Sequence, residues 1–158
     1  MPAKNWDIFF NELLQSYLRT SASQSAGVPT TSVMPIRTAQ DKDPVTRPRA
    51  VISHERRPET LRHIYDALFT VTGHFLDDPA QGTTTSSAEL YMQAIRQRLA
   101  DTEALKAYIA TLSSEDQQGW QPVVHHLMHL PFKRELDEET GHLELSFDFT
   151  WTIVTEHP

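Results

Sequence analysis

Residues 143 to 153 read Leu-Glu-Leu-Ser-Phe-Asp-Phe-Thr-Trp-Thr-Ile, with an apolar residue at every odd position and a polar one at every even position. A β-strand sends successive side chains to opposite faces, so this register collects Leu143, Leu145, Phe147, Phe149, Trp151 and Ile153 on one side. A helix would scatter the same residues around its circumference. One strand face therefore meets a core, while the other, with Glu144, Ser146, Asp148, Thr150 and Thr152, meets water or a polar partner. Parallel sheets are normally covered on both faces, so a one-sided strand favours an antiparallel sheet.

The remaining elements follow from periodicity. Trp6, Phe9, Phe10, Leu13, Leu14 and Tyr17 recur at helical spacing, with Asn5 able to cap the start and Arg19 suited to the negative end of the dipole. Residues 20 to 49 are rich in Ser, Thr, Pro and Gln, and Val33-Met34-Pro35-Ile36 is their apolar island. So long a connection predicts a flexible loop that orders on assembly. Ala50 to His54 is β-branched and apolar, and Phe69 to Phe75 alternates, so both read as strands, the second reaching back toward Leu61. Gly73 within that run predicts a bulge. Ser86-Ser87-Ala88-Glu89 has the form of a capping box, opening a helix whose stripe is Leu90, Tyr91, Ala94, Ile95 and Leu99. Asp101-Thr102 offers a fresh cap for a second helix through Leu105, Tyr108, Ile109 and Leu112. A third extended segment runs from Trp120 to about Phe132 and on through Leu136, and the turn Asp137-Glu138-Glu139-Thr140-Gly141 closes a terminal hairpin. The whole predicts one α+β domain over residues 1–158 with a long flexible loop at about 20–49. Its sheet is four-stranded and mostly antiparallel, with the N-terminal helix and two central helices packed on one face.

Composition narrows the function classes. A net charge of −7 disfavours sequence-independent binding of nucleic acid, and the basic spots Arg47-Pro48-Arg49 and Arg56-Arg57 are short. With no cysteine, disulfide scaffolds, thiolate zinc sites and thiol nucleophiles are excluded. No apolar run reaches membrane-spanning length, and the N-terminus lacks the unbroken apolar stretch of a signal peptide, so no membrane partner and a cytoplasmic site of assembly are expected.

Eight histidines are the enriched reactive type. His125 and His129 share a face if extended, but four residues along a strand span about 13 Å, too far for one ion. A ligand set that adds His54, His63, His74 or His142 would require the tertiary fold to bring them together. Glu144 with Asp148 reads as a solvated face, and Ser53-His54 and Ser146 with Asp148 lack a nucleophile elbow. The five glycines are dispersed, so no phosphate-binding loop is present. No catalytic residue, metal ligand or cofactor site is predicted.

Five stretches together carry a resemblance. They are the helix around Trp6 to Leu18, the entry Arg47-Pro48-Arg49-Ala50-Val51-Ile52-Ser53, the strand end His74-Phe75-Leu76-Asp77-Asp78, the paired central helices and the Asp137–Gly141 hairpin. In pattern and order the chain resembles the tail terminator, or tail completion, proteins of long-tailed bacteriophages. The resemblance implies a structural virion protein without catalysis or cofactor. Such a subunit assembles, usually as a hexameric ring, on the head-proximal end of the tail tube, stops tube growth and offers a docking surface to the head-completion (neck) protein. DNA passes through the lumen without specific binding, which suits an acidic subunit. On this view the neighbour-facing and tube-facing residues are Val33, Met34 and Ile36 of the loop, Arg56 and Arg57, and Asp137, Glu138 and Glu139 at the hairpin tip. A neck adaptor or tube-like subunit shares these traits. A small α+β enzyme or ligand-binding dimer using the histidines is the alternative of another class, and an adaptor capturing a peptide on a sheet edge is a third.

Overall fold

A computed structural model describes residues 6–39, 48–56, 64–76, 85–112, 123–129 and 132–154. The chain is α+β: α1 (Trp6–Leu18), α2 (Ser21–Ser25), β1 (Ile36–Thr38), β2 (Arg49–Arg56), β3 (Ile64–Leu76), α3 (Thr85–Ala100), α4 (Thr102–Thr111), β4 (Val123–His129), β5 (Lys133–Asp137) and β6 (His142–Val154). Five strands lie side by side in the order β1-β2-β3-β6-β4, and β5 pairs with the remaining length of β6.

The sheet therefore has six strands and is mixed, not the four expected. β1 runs parallel to β2 and all other pairings are antiparallel. At three residues, β1 is too short to show a periodicity. The expected third strand is split: register slips between Val124 and Leu127 in β4, and β5 restarts the pairing at Lys133↔Ser146.

One face of the sheet carries the core. Ile36, Ala50, Ile52, Phe69, Val71, Phe75, Leu143, Leu145, Phe147 and Phe149 are buried there, and register places them in rows such as Ile52↔Val71↔Phe147. Phe10, Leu13, Leu14, Tyr17 and Leu18 of α1, Ala88, Met92, Ile95 and Leu99 of α3, and Leu105 and Ile109 of α4 complete the same core. The inward phase expected for β6 holds at Leu143, Leu145, Phe147 and Phe149, whereas Asp148 and Thr150 on the opposite face are only 9% exposed and not the solvated positions expected. In α3 Ile95 and Leu99 are buried and Tyr91 packs against the core as expected, but Leu90 is 64% exposed and Met92 takes the inward position. Thr85 is already helical, so Ser86 falls inside the first turn and is not the cap. Asp101 caps α4 as expected, its carboxylate accepting from Ala104 N at 3.1 Å. Asn5 and residues 61–63 lie outside the described residues.

Gly73 is no bulge, because pairing runs unbroken through Ala50↔Gly73↔Leu145. Its role is space. A Cβ there would meet Met92 Sδ at 2.5 Å and Phe75 Cε2 at 2.6 Å, so α3 rests on the strand where the side chain is missing.

Nor is the stretch 20–49 one long loop. Thr20 caps α2, its hydroxyl accepting from Ser23 N at 3.2 Å. Gly27, at φ 105°, ends the helix in a Schellman arrangement with Gly27 N donating to Gln24 O and Val28 N to Ser23 O. Buried Ser23 donates to Tyr17 O at 2.7 Å and accepts from Arg98 Nε at 2.9 Å. The Arg98 guanidinium in turn lies over the Tyr17 ring, whose hydroxyl donates to Arg98 O at 3.0 Å. Burial pushes the Tyr17 phenol up, against the pull of Arg98. These bonds tie α2 to α1 and α3 without a hydrophobic period that a sequence could display.

Candidate interface: the open sheet face and its borders

The face opposite the helices is polar and arranged in rows by register. Arg49, His74, Glu144 and Glu135 form one row; Val51, Thr72, Ser146 and Lys133 the next; Ser53, Thr70 and Asp148 a third; and Leu76, His142 and Asp137 a fourth. Arg37 joins the second row beside Val51. The Asp148 carboxylate accepts from Thr70 Oγ1 at 2.8 Å and from the Lys133 ammonium at 3.2 Å. Charge is polarised across this face among the described residues. Arg37 and Arg49 stand on the β1–β2 side, and Glu135, Asp137 and Glu144 on the β5–β6 side, where Lys133 is paired with Asp148, with exposed Glu138 and Glu139 continuing at the hairpin tip.

The two borders of the sheet differ. Ala50 N donates to Pro35 O and Ala39 N to Ile52 O, so alternation turns the Ile36 carbonyl away from β2. There it accepts from Gln15 Nε2 at 2.7 Å and Arg19 Nη2 at 2.9 Å, so α1 side chains block this short edge. At the other border every β5 residue is exposed, and among the described residues no strand pairs with the outer side of β4 or β5. The hairpin is held by Gly141 N donating to Asp137 O at 2.8 Å, and by the Asp137 carboxylate accepting from Glu139 N and Thr140 N.

Beside β5 and under α3 lies an open cleft of about 240 Å³ lined by Glu89, Gln93, Phe132, Arg134 and Leu145. Phe132 meets Phe147 edge-on with centroids 5.5 Å apart, and the Arg96 guanidinium lies 5.0 Å over its ring. The cleft is below the usual size of a pocket for a drug-sized ligand.

The expected contact residues are scattered by the fold. Val33 is 46% exposed, whereas Met34 and Ile36 are buried in the chain's own core, which corrects their assignment as neighbour-facing. Their apolar surface is already used in folding. Arg56 ends β2, paired with Ala67, and Arg57 lies outside the described residues. Asp137, Glu138 and Glu139 are exposed together at the hairpin tip. His125, His126 and His129 all fall in β4, and among the described residues no cluster of three or more His, Asp or Glu could hold a metal ion.

One pairing could not be anticipated without register. His74 Nδ1 and His142 Nε2 lie 3.4 Å apart on the open face, their rings 5.4 Å apart at 31°. The signal was the offset Leu76↔His142, which makes His74 the diagonal neighbour of His142. Burial, then the Arg49 charge, hold the His74 imidazole below its ordinary pKa of 6.5, against the opposite pull of Glu144. The folded state thus binds fewer protons than the unfolded one between the lowered value and 6.5. Stability contributed by neutral His74 is intact above pH about 6.5 and is lost as pH falls from there through the folded value. Urea midpoints in EDTA between pH 7.5 and pH 5 will fall for the natural protein, and the fall will be smaller for His74→Gln. An equal fall in both proteins would remove His74 as the cause.

No protein-family model matches this chain, and no curated protein matches it as a relative. No helix among the described residues is long and apolar enough to cross a membrane.

Proposed function

We propose that this chain is a structural joining subunit, a tail terminator whose copies close a ring on the head-proximal end of a phage tail tube and present a surface to the head-completion protein. The observation that carries the reading is the polarity of the open face, with Arg37 and Arg49 on one side and Glu135, Glu138 and Glu139 on the other. Opposite charge on opposite flanks of one subunit favours head-to-tail contact between identical copies, the geometry from which closed rings are built. The unequal borders refine this. With the β1 edge blocked by Gln15 and Arg19, ring contacts join the exposed β5 border of one copy to the β1–β2 flank of the next through side chains, not through one continuous sheet. The net charge of −7 suits a lumen through which DNA slides without being retained.

The mass of the protein in solution, alone and with tail tube protein, tests the proposal. The expected result is a closed oligomer, six copies if it follows the family it resembles, that occupies tube ends in electron micrographs. Replacing Glu135, Glu138 and Glu139 together by lysine puts like charges at the contact and is expected to shift the mass toward monomer at physiological ionic strength, with folding intact. A strict monomer that leaves tube ends bare would remove this function.

A further inference from the structure

We infer that His74 and His142 form a two-imidazole chelate for a late first-row divalent cation, zinc or nickel, on the open face of the sheet. The distance carries it. Two nitrogens bound at about 2.0–2.1 Å to one tetrahedral zinc stand about 3.3 Å apart, and His74 Nδ1 and His142 Nε2 stand 3.4 Å apart. The pair stands at the end of the long β3–β6 ladder, which runs without a slip from Ile64↔Val154 to Leu76↔His142. Ligands on such strands are held where they must be before the ion arrives.

Proton placement is compatible with the site. A cation between the rings takes the lone pairs of His74 Nδ1 and His142 Nε2. Each imidazole then keeps its proton on its other nitrogen, so the ring that now donates across the gap changes tautomer and no net proton leaves. Glu144 and Glu135 in the His74 row and Asp137 opposite His142 favour a cation, while Arg49 opposes it. Two side chains leave the other coordination positions to water, which sets the affinity below that of a four-ligand structural site. Imidazole donors also exclude magnesium and calcium, which demand oxygen. The inference does not depend on ring formation.

Isothermal titration of the full chain with zinc sulfate at pH 7.5 tests it. One equivalent is expected to bind, and His74→Gln and His142→Gln are each expected to weaken that event at least about tenfold, with magnesium giving no heat. Nickel added to the unaltered protein supplies a second readout that needs no variant: the imidazole NMR signals of His74 and His142 are expected to broaden first. Absence of zinc binding, unchanged affinity in both variants, or earlier broadening at His125, His126 or His129 would overturn the site.

Discussion

Phe149→Ala is expected to destabilise the protein by about 3–5 kcal/mol, the cost of emptying a core aromatic site. The Phe149 ring stacks on that of its direct cross-strand partner Phe69, with centroids 5.1 Å apart and planes 8° from parallel. Phe147 adds a further ring at 6.4 Å, and all three are buried. Both strands are fixed by an unbroken register, so the neighbourhood has little freedom to collapse into the void. The aromatic pairing adds about 0.5–1.5 kcal/mol beyond the area it hides. In thermal melts the change corresponds to a drop of roughly 6–20 °C for a chain of this size. Leu90→Ala on the exposed side of α3 serves as the reference and is expected to stay within about 0.5 kcal/mol. A Phe149→Ala loss no larger than that reference would contradict the core described above.

Gly73→Ala is expected to cost about 1–3 kcal/mol by overpacking, even though fewer accessible unfolded conformations would return about 0.4–1 kcal/mol. The new methyl would lie 2.5 Å from Met92 Sδ and 2.6 Å from Phe75 Cε2, and one of them must move. Both are fully buried, but Met92 ends in a flexible thioether that yields more readily than the rigid Phe75 ring. Combining Gly73→Ala with Met92→Ala should therefore give less than the sum of the two single losses, with a coupling of about 0.5–3 kcal/mol in urea titrations. Strict additivity would mean that α3 does not rest on Gly73.

Much of this core was legible because two periodicities were clean. The alternation of Leu143 to Phe149 fixed which face of β6 is buried, and Phe10, Leu13, Leu14 and Tyr17 fixed the face of α1. Legibility failed where tertiary contact overrides pattern. In α3 the buried series Ala88, Met92, Ile95 and Leu99 keeps helical spacing and Leu90 is out of phase with it; Met92 fills the space left by Gly73 on another element. Residues 20–39 looked like loop because their order comes from a buried serine, a left-handed glycine and the distant Arg98, not from an apolar stripe. The contact residues suffered similarly. Met34 and Ile36 were conspicuous as an apolar island, and that same apolarity draws them into the core. The hairpin tip was readable because Asp137 and Gly141 have turn chemistry whatever surrounds them. The His74–His142 approach depends on a strand offset that a sequence does not state.

The carbonyl of Ile36, satisfied from within by Gln15 and Arg19, also limits how copies can go wrong. A sheet open along both margins can recruit copy after copy into a fibre, each newcomer templating the next. Among the described residues the β1 margin is the obstructed one, so strand-to-strand joining is directed to the β4–β5 margin. A blocked margin thereby disfavours runaway polymerisation through the sheet and leaves side chains to govern any larger, closed assembly.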